Sequence, residues 1–196
     1  MMLREASALF FRSTAVRRGP LLATLLAFGA LIAPAGAQAQ GCADANLKPT
    51  RANLEQVRSA VLCLHNQERA RHGLSSLREN PKLRRAAGRH SADMVSSRFF
   101  DHTAPGGATM VDRIRRAGYT SGARAWALGE NIAWGSGRLA TAAQIHRSWM
   151  RSSGHRANIL QRRFREIGIG IETGLPVRLS AAQSGATYTT DFGYRR

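Results

Sequence analysis

The chain has 196 residues and a net charge of +17, carried by 29 basic against 12 acidic side chains. That length leaves no room for an array of domains, and no repeat, low-complexity tract or internal linker breaks it up. The charge points to anionic partners such as envelope polymers, lipid head groups or nucleic acid, or to solubility alone, and by itself selects none of them.

In chain order, residues 1–39 read as a signal peptide. Arg4, Arg12, Arg17 and Arg18 form a positive head, Leu21 to Ala33 an uncharged apolar run, and Ala37-Gln38-Ala39 the small residues of a cleavage site before Gln40. Thirteen helical residues span about 20 Å, too short for a bilayer core, so a retained anchor is the weaker reading. Arg17-Arg18 as a twin-arginine signal and Cys42 as a lipid-attachment site are further alternatives, with poor flanking residues in both cases. Cleavage after Ala39 leaves one domain of 157 residues with a charge of +14, nearly all from arginine. It is large enough for a core of its own. Cys42 and Cys63 are an even pair in an oxidising compartment and read as a disulfide that staples the new N-terminus to the first helix; a lipidated Cys42 beside a lone Cys63 is the other option.

Residues 40–53 form a lead-in to a domain over 54–196. Leu54, Val57, Val61 and Leu64 recur at helical spacing, with Asn53 as cap and Gly73 as stop. Asn80-Pro81 opens a second helix that runs to about Ser97, with Phe99 and Phe100 behind it as a core anchor. Thr109 to Ala117 predicts a third helix, residues 120–138 an irregular stretch, and Leu139 to Ser152 a fourth helix ending at Gly154. Asn158-Ile159-Leu160 then turns the chain. Ile167, Ile169 and Ile171 alternate with glycines as in a strand, and Val177–Ala182 and Thr187–Phe192 are further strands. Helices early and strands late make an α+β domain with a small antiparallel sheet.

Of the six histidines, His65 and His146 fall at the margin of packed helix faces, His72 in a last helical turn and His90 in or behind the core. Only His102 and His155 sit in loop-like sequence among small residues, where scaffolds place functional groups. Trp126, Trp134 and Trp149 could form a carbohydrate platform but serve packing more often. Arg84-Arg85 and Arg162-Arg163 read as a solvated face.

Five strings carry a family resemblance. They are Leu64 to Leu74 (LHNQERARHGL), Phe99-Phe100-Asp101-His102, Gly129-Glu130-Asn131-Ile132-Ala133, the run from Trp149 to Leu160 (WMRSSGHRANIL), and Glu166 to Gly170 (EIGIG). In this order they resemble the CAP superfamily of cysteine-rich secretory, antigen 5 and pathogenesis-related proteins, in its bacterial form, over residues 57 to 193. The resemblance implies a three-layered α-β-α sandwich around a small antiparallel sheet. It also implies a central cleft where His102, Glu130 and His155 match three of the family's two His and two Glu. The second Glu falls where this chain has Ser152. Asn131, Ser153 and Asn158 would line the same region.

His102, Glu130 and His155 together could hold a divalent ion such as Zn²⁺, or form a metal-free hydrogen-bonded network. No Gly-x-Ser-x-Gly elbow accompanies Ser152 and Ser153, and paired cysteines supply no nucleophile. The leading reading is a secreted, monomeric, non-enzymatic binder of lipid or anionic envelope polymer through the cleft, with no specific nucleic-acid partner and no certain cofactor. The alternative is a metal-assisted hydrolase, protease-like, using His102, Glu130 and His155.

Overall fold

The computed structural model describes residues 41–178 and 184–196, and Gly41–Arg196 form one compact unit. The signal-peptide reading of residues 1–39 lies outside the described residues. So does most of the strand proposed at Val177–Ala182; Val177 and Arg178 themselves are not in a strand.

Helix α1 covers Leu54–Arg71 and buries Val57, Ala60 and Val61 at helical spacing. Asn53 stands at its cap position, yet its side chain turns backwards, accepting from the Thr50 amide at 2.7 Å and donating to the Lys48 carbonyl at 3.0 Å. The helix stops at Gly73, whose φ of +63° lies in the left-handed region that glycine enters without strain. A disulfide joins Cys42 to Cys63 on α1, the staple that the even cysteine pair predicts.

A two-residue strand β1, Arg78–Glu79, comes next. Helix α2 spans Pro81–Ser97; Asn80 Oδ1 accepts from the amides of Lys82 and Leu83, and Pro81 fills the first turn. Helix α3, Met110–Arg116, starts with a reciprocal capping box between Thr109 and Asp112. Of the two phenylalanines after α2, Phe99 packs on the His90 ring at 5.8 Å, but Phe100 is 39% exposed and anchors no core.

The stretch 120–138 is irregular only as far as residue 125. Strand β2, Trp126–Ser136, pairs along its whole length with β4, Gly185–Arg195. Its Gly, Ala, Asn and Ser content gives little intrinsic strand preference, so the long partner strand supplies the ladder that the sequence does not announce. The fourth helix divides likewise: a 3-10 turn at Gly137–Ala140 precedes α4, Ala142–Arg151, which Thr141 caps. A short helix α5, Ser153–Ile159, takes in Asn158 and Ile159, so the turn read at Asn158-Ile159-Leu160 begins only at Leu160.

Strand β3, Glu166–Thr173, completes a sheet of order β1-β3-β4-β2. The pairs β3–β4 and β2–β4 are antiparallel, while β1 joins β3 in parallel, so the small sheet is mixed rather than wholly antiparallel. On β3 the isoleucines and glycines serve opposite faces. Ile167, Ile169 and Ile171 enter the main core with Val57, Val61, Ile145, Trp149, Ile159 and Phe192 from α1, α4, α5 and β4. Gly168 and Gly170 let α2 lie directly on the sheet: a Cβ at either would collide with the main chain of α2, at Leu83 or at Ala87. Leu83, Ala86, Ile114 and Tyr119, with Leu128 of β2 against them, make the second core. The architecture is therefore α+β in three layers, with the sheet between α1/α4/α5 and α2/α3.

His65 and His146 are inside this core rather than at its margin. Their rings lie 5.1 Å apart, and His65 also meets Trp149 and Phe192. Trp149 is buried and donates to the Ile132 carbonyl at 3.1 Å.

Candidate functional site

Strand β2 is an edge strand, and its alternation sends neighbouring side chains to opposite faces. Glu130 shares a face with Leu128, under α2 and α3. Asn131 shares the other with Ala127 and Ala133, which pack on the main core. A site centred on Glu130-Asn131 therefore wraps the sheet edge.

On the first face the loop after α2 brings in His102, whose Nδ1 lies 2.7 Å from Glu130 Oε1. A carboxylate accepts, so Nδ1 carries the hydrogen. The His102 side chain is 31% exposed and that of Glu130 2%. Arg113 of α3 donates through Nη2 to Glu130 Oε2 at 2.6 Å, and through Nη1 to the carbonyls of His102 and Ala108 at 2.8 and 3.1 Å. The guanidinium thus holds the carboxylate and the loop that bears the imidazole. Burial alone would raise the Glu130 carboxyl, but the His102 hydrogen bond and the Arg113 charge outweigh it and hold the group below its ordinary range. His90 lies behind, its Nε2 at 3.0 Å from the Asp101 carbonyl.

On the second face α5 docks onto β2. Asn158 donates from Nδ2 to the Glu130 carbonyl at 3.1 Å and to Asn131 Oδ1 at 2.9 Å, and Asn131 Nδ2 donates to the His155 carbonyl at 3.0 Å. His155 is thereby fixed to the Glu130 segment through its backbone, with its side chain half-buried. Ser152 is buried at the α4–α5 junction, where its carbonyl accepts from the Arg156 amide at 2.9 Å, and Ser153 is exposed at the start of α5.

The sequence-predicted residues therefore meet unevenly. His102 and Glu130 are in direct contact; Asn131, Asn158 and the His155 backbone form an adjoining network. Sequence reasoning missed Arg113 and Asp191, the latter fully buried on β4 opposite Glu130. The signal for Asp191 was an acid inside an otherwise apolar and threonine-rich strand run. Arg113 offered none, since it is one of three arginines in a short helix.

A divalent ion does not fit these residues. Both Glu130 oxygens are engaged, one of them by a guanidinium whose charge would repel a second cation. Among the described residues no group of three His, Cys, Asp or Glu could hold a metal ion.

A family model for the cysteine-rich secretory proteins (CAP) matches residues 62–176. The chain belongs to this family. Among relatives of the CAP chain, YkwD of Bacillus subtilis (strain 168) is 36% identical over 115 residues, covering 58% of this chain and 42% of YkwD. The membrane protein YlbC of the same organism is 30% identical over 112 residues, covering 57% of this chain and 30% of YlbC. The chain thus spans less than half the length of the curated relatives it matches. Among solved structures, an extracellular SCP-domain protein from Bacillus anthracis aligns with a TM-score of 0.53 at 26% identity, over 74% of this chain and 44% of that one. An outer surface protein of Borrelia burgdorferi aligns with a TM-score of 0.51 at 16% identity, over 76% of this chain and 96% of that one, and shares the fold. Among the described residues of the CAP domain, no helix is long and apolar enough to cross a membrane.

Proposed function

We propose that this CAP protein is exported, acts as a monomer, and binds a lipid or an anionic envelope polymer through the cleft around His102 and Glu130, without chemical turnover. The observation that carries this is the buried Arg113–Glu130 pair holding one partly exposed imidazole. A polar group fixed in advance loses little freedom on binding, which favours recognition. With hydrogen on Nδ1, a neutral His102 ring offers Nε2 as an acceptor, which suits a ligand hydroxyl on a lipid head group or a sugar unit. The +14 charge left after signal removal would bring an anionic surface or polymer close. Export rests on the N-terminal charge and apolar pattern and agrees with the extracellular description of the Bacillus anthracis structure.

A carboxylate that orients an imidazole is also the support a general base uses, which keeps a metal-free hydrolytic reading as the second option. Binding of mature protein to vesicles and to purified envelope polymer, compared with His102→Ala and Glu130→Gln, tests the first reading. Saturable binding lost in both variants supports it, and binding unchanged in both removes the cleft. Turnover abolished by His102→Ala would instead favour the second.

A further inference from the structure

Glu130 and Asp191 are direct partners across the β2–β4 ladder, so their side chains leave the sheet on the same face, beneath α2 and α3. On the other side of Asp191, β3 presents Gly168, which has no side chain. Asp191 is fully buried, no donor group among the described residues bonds to either of its carboxyl oxygens, and its side chain stands in hydrogen-bond contact with the Glu130 carboxyl. The ionisable groups that act on this pair are Arg113 from α3, His90 from α2 and His102 from the loop between them. One permanent cation therefore faces two buried carboxyl groups, and that cation already bonds to Glu130. A second buried carboxylate would be an uncompensated charge, which a protein interior does not tolerate without protonation.

We infer that Asp191 is a positioning residue of the His102–Glu130 site: it stays a neutral acid and turns its O–H toward Glu130, fixing the carboxylate that orients the imidazole. The inference rests on the reading of His102 and Glu130 as the site. Burial raises the Asp191 carboxyl well above its ordinary range and the Glu130 charge raises it further, whereas Glu130 is held low. Two neighbouring carboxyls with opposite shifts share one proton, held by the member without a cation. Glu130 then has three restraints, from His102, Arg113 and Asp191, and His102 is locked in the tautomer with hydrogen on Nδ1.

The test reads protons rather than ligand, so its failure is distinct from failure of the binding proposal. Carbon NMR of the Asp191 carboxyl and nitrogen NMR of the His102 ring are recorded on the full mature chain from about pH 5 to about pH 8. The inference expects Asp191 to keep the acid signal throughout. It expects Asp191→Asn, neutral and still a donor, to preserve the Nδ1–H tautomer. Asp191→Ala should release the tautomer preference. A carboxylate signal at neutral pH would overturn the inference. So would an Asp191→Asn variant that loses the Nδ1–H tautomer, because a neutral donor in the same place should keep it. Should the alanine variant fail to fold, the native carboxyl signal and the asparagine variant decide the matter alone.

Discussion

Arg113 reaches Glu130 at 2.6 Å with 5% and 2% of their side chains exposed, so the ion pair under the site is almost wholly cut off from water. Truncating one partner of such a pair strands the other charge in the interior. Arg113→Ala should cost about 3–5 kcal/mol of folding stability, and the double change Arg113→Met with Glu130→Leu should recover much of that loss. Denaturant unfolding of the three proteins checks this. Equal losses in the single and double variants would show that packing rather than charge dominates.

Arg69 presents a second buried guanidinium with a different task. It donates to the carbonyls of Ser75, Ile159, Gln161 and Phe164 at 2.8–3.1 Å, gathering the end of α5 and the entry to β3 against α1. Arg69→Met keeps most of the apolar stem and leaves several buried carbonyls without donors. A loss of about 3 kcal/mol or more is expected, at about 1–3 kcal/mol per orphaned group. Thermal unfolding should show the midpoint falling by roughly 2–4 °C for each kcal/mol. Arg69→Lys should rescue little, because one ammonium cannot span the fork.

Acid should weaken the fold through His65 and His146. Burial drives His65 well below its ordinary 6.5, with the nearby His146 adding to the effect, and burial pushes His146 down to about 4 against the opposing pull of Glu68. The unfolded chain takes up these protons near pH 6.5 and the folded chain does not. Stability is therefore full above about 6.5 and falls below it by about 1.4 kcal/mol per pH unit for each neutral buried histidine, levelling for His146 under about pH 4. His90, also lowered by burial, acts in the same direction. Unfolding free energies from pH 7 to pH 4 should show this slope, and His65→Leu with His146→Leu should flatten it. An unaltered slope in the double variant would contradict the assignment.

Gly168 sets how close α2 lies to the sheet. Gly168→Ala drives a methyl into the Leu83 carbonyl carbon, which is main chain and cannot swing aside as a side chain could. A loss of about 3 kcal/mol or more is expected, above the usual overpacking range of about 1–3 kcal/mol because the clash is with main chain. By contrast Gly88→Ala, with nothing within 4 Å of its added methyl, should be tolerated. Circular dichroism and denaturant midpoints separate the two.

The parts of this fold legible in the sequence are those with strong local signals. Asn80-Pro81 announces a helix start, Gly73 a helix end, and the Ile-Gly alternation a strand. What was not legible depends on distant partners. β2 is strand because β4 offers it eleven residues of ladder, and β1 exists only beside β3. His65 and His146 look marginal on their own helices and become interior where α1 crosses α4. The same division holds at the site. His102 and Glu130 stand out in sequence through their strings, whereas Arg113 and Asp191 acquire meaning only once α3 and β4 close around Glu130.

The most direct measurement of the central claim is the affinity of the mature protein for anionic-lipid vesicles or envelope polymer, beside His102→Ala, at low and at about 0.5 M salt. Screening shortens the reach of the surface charge to a few ångströms at the higher value and leaves a fixed hydrogen bond in place. The account predicts saturable binding that persists at high salt and falls about tenfold in His102→Ala, the loss of a hydrogen bond near 1.4 kcal/mol. Binding that vanishes with salt and ignores the histidine would reduce the protein to a basic surface and contradict the account.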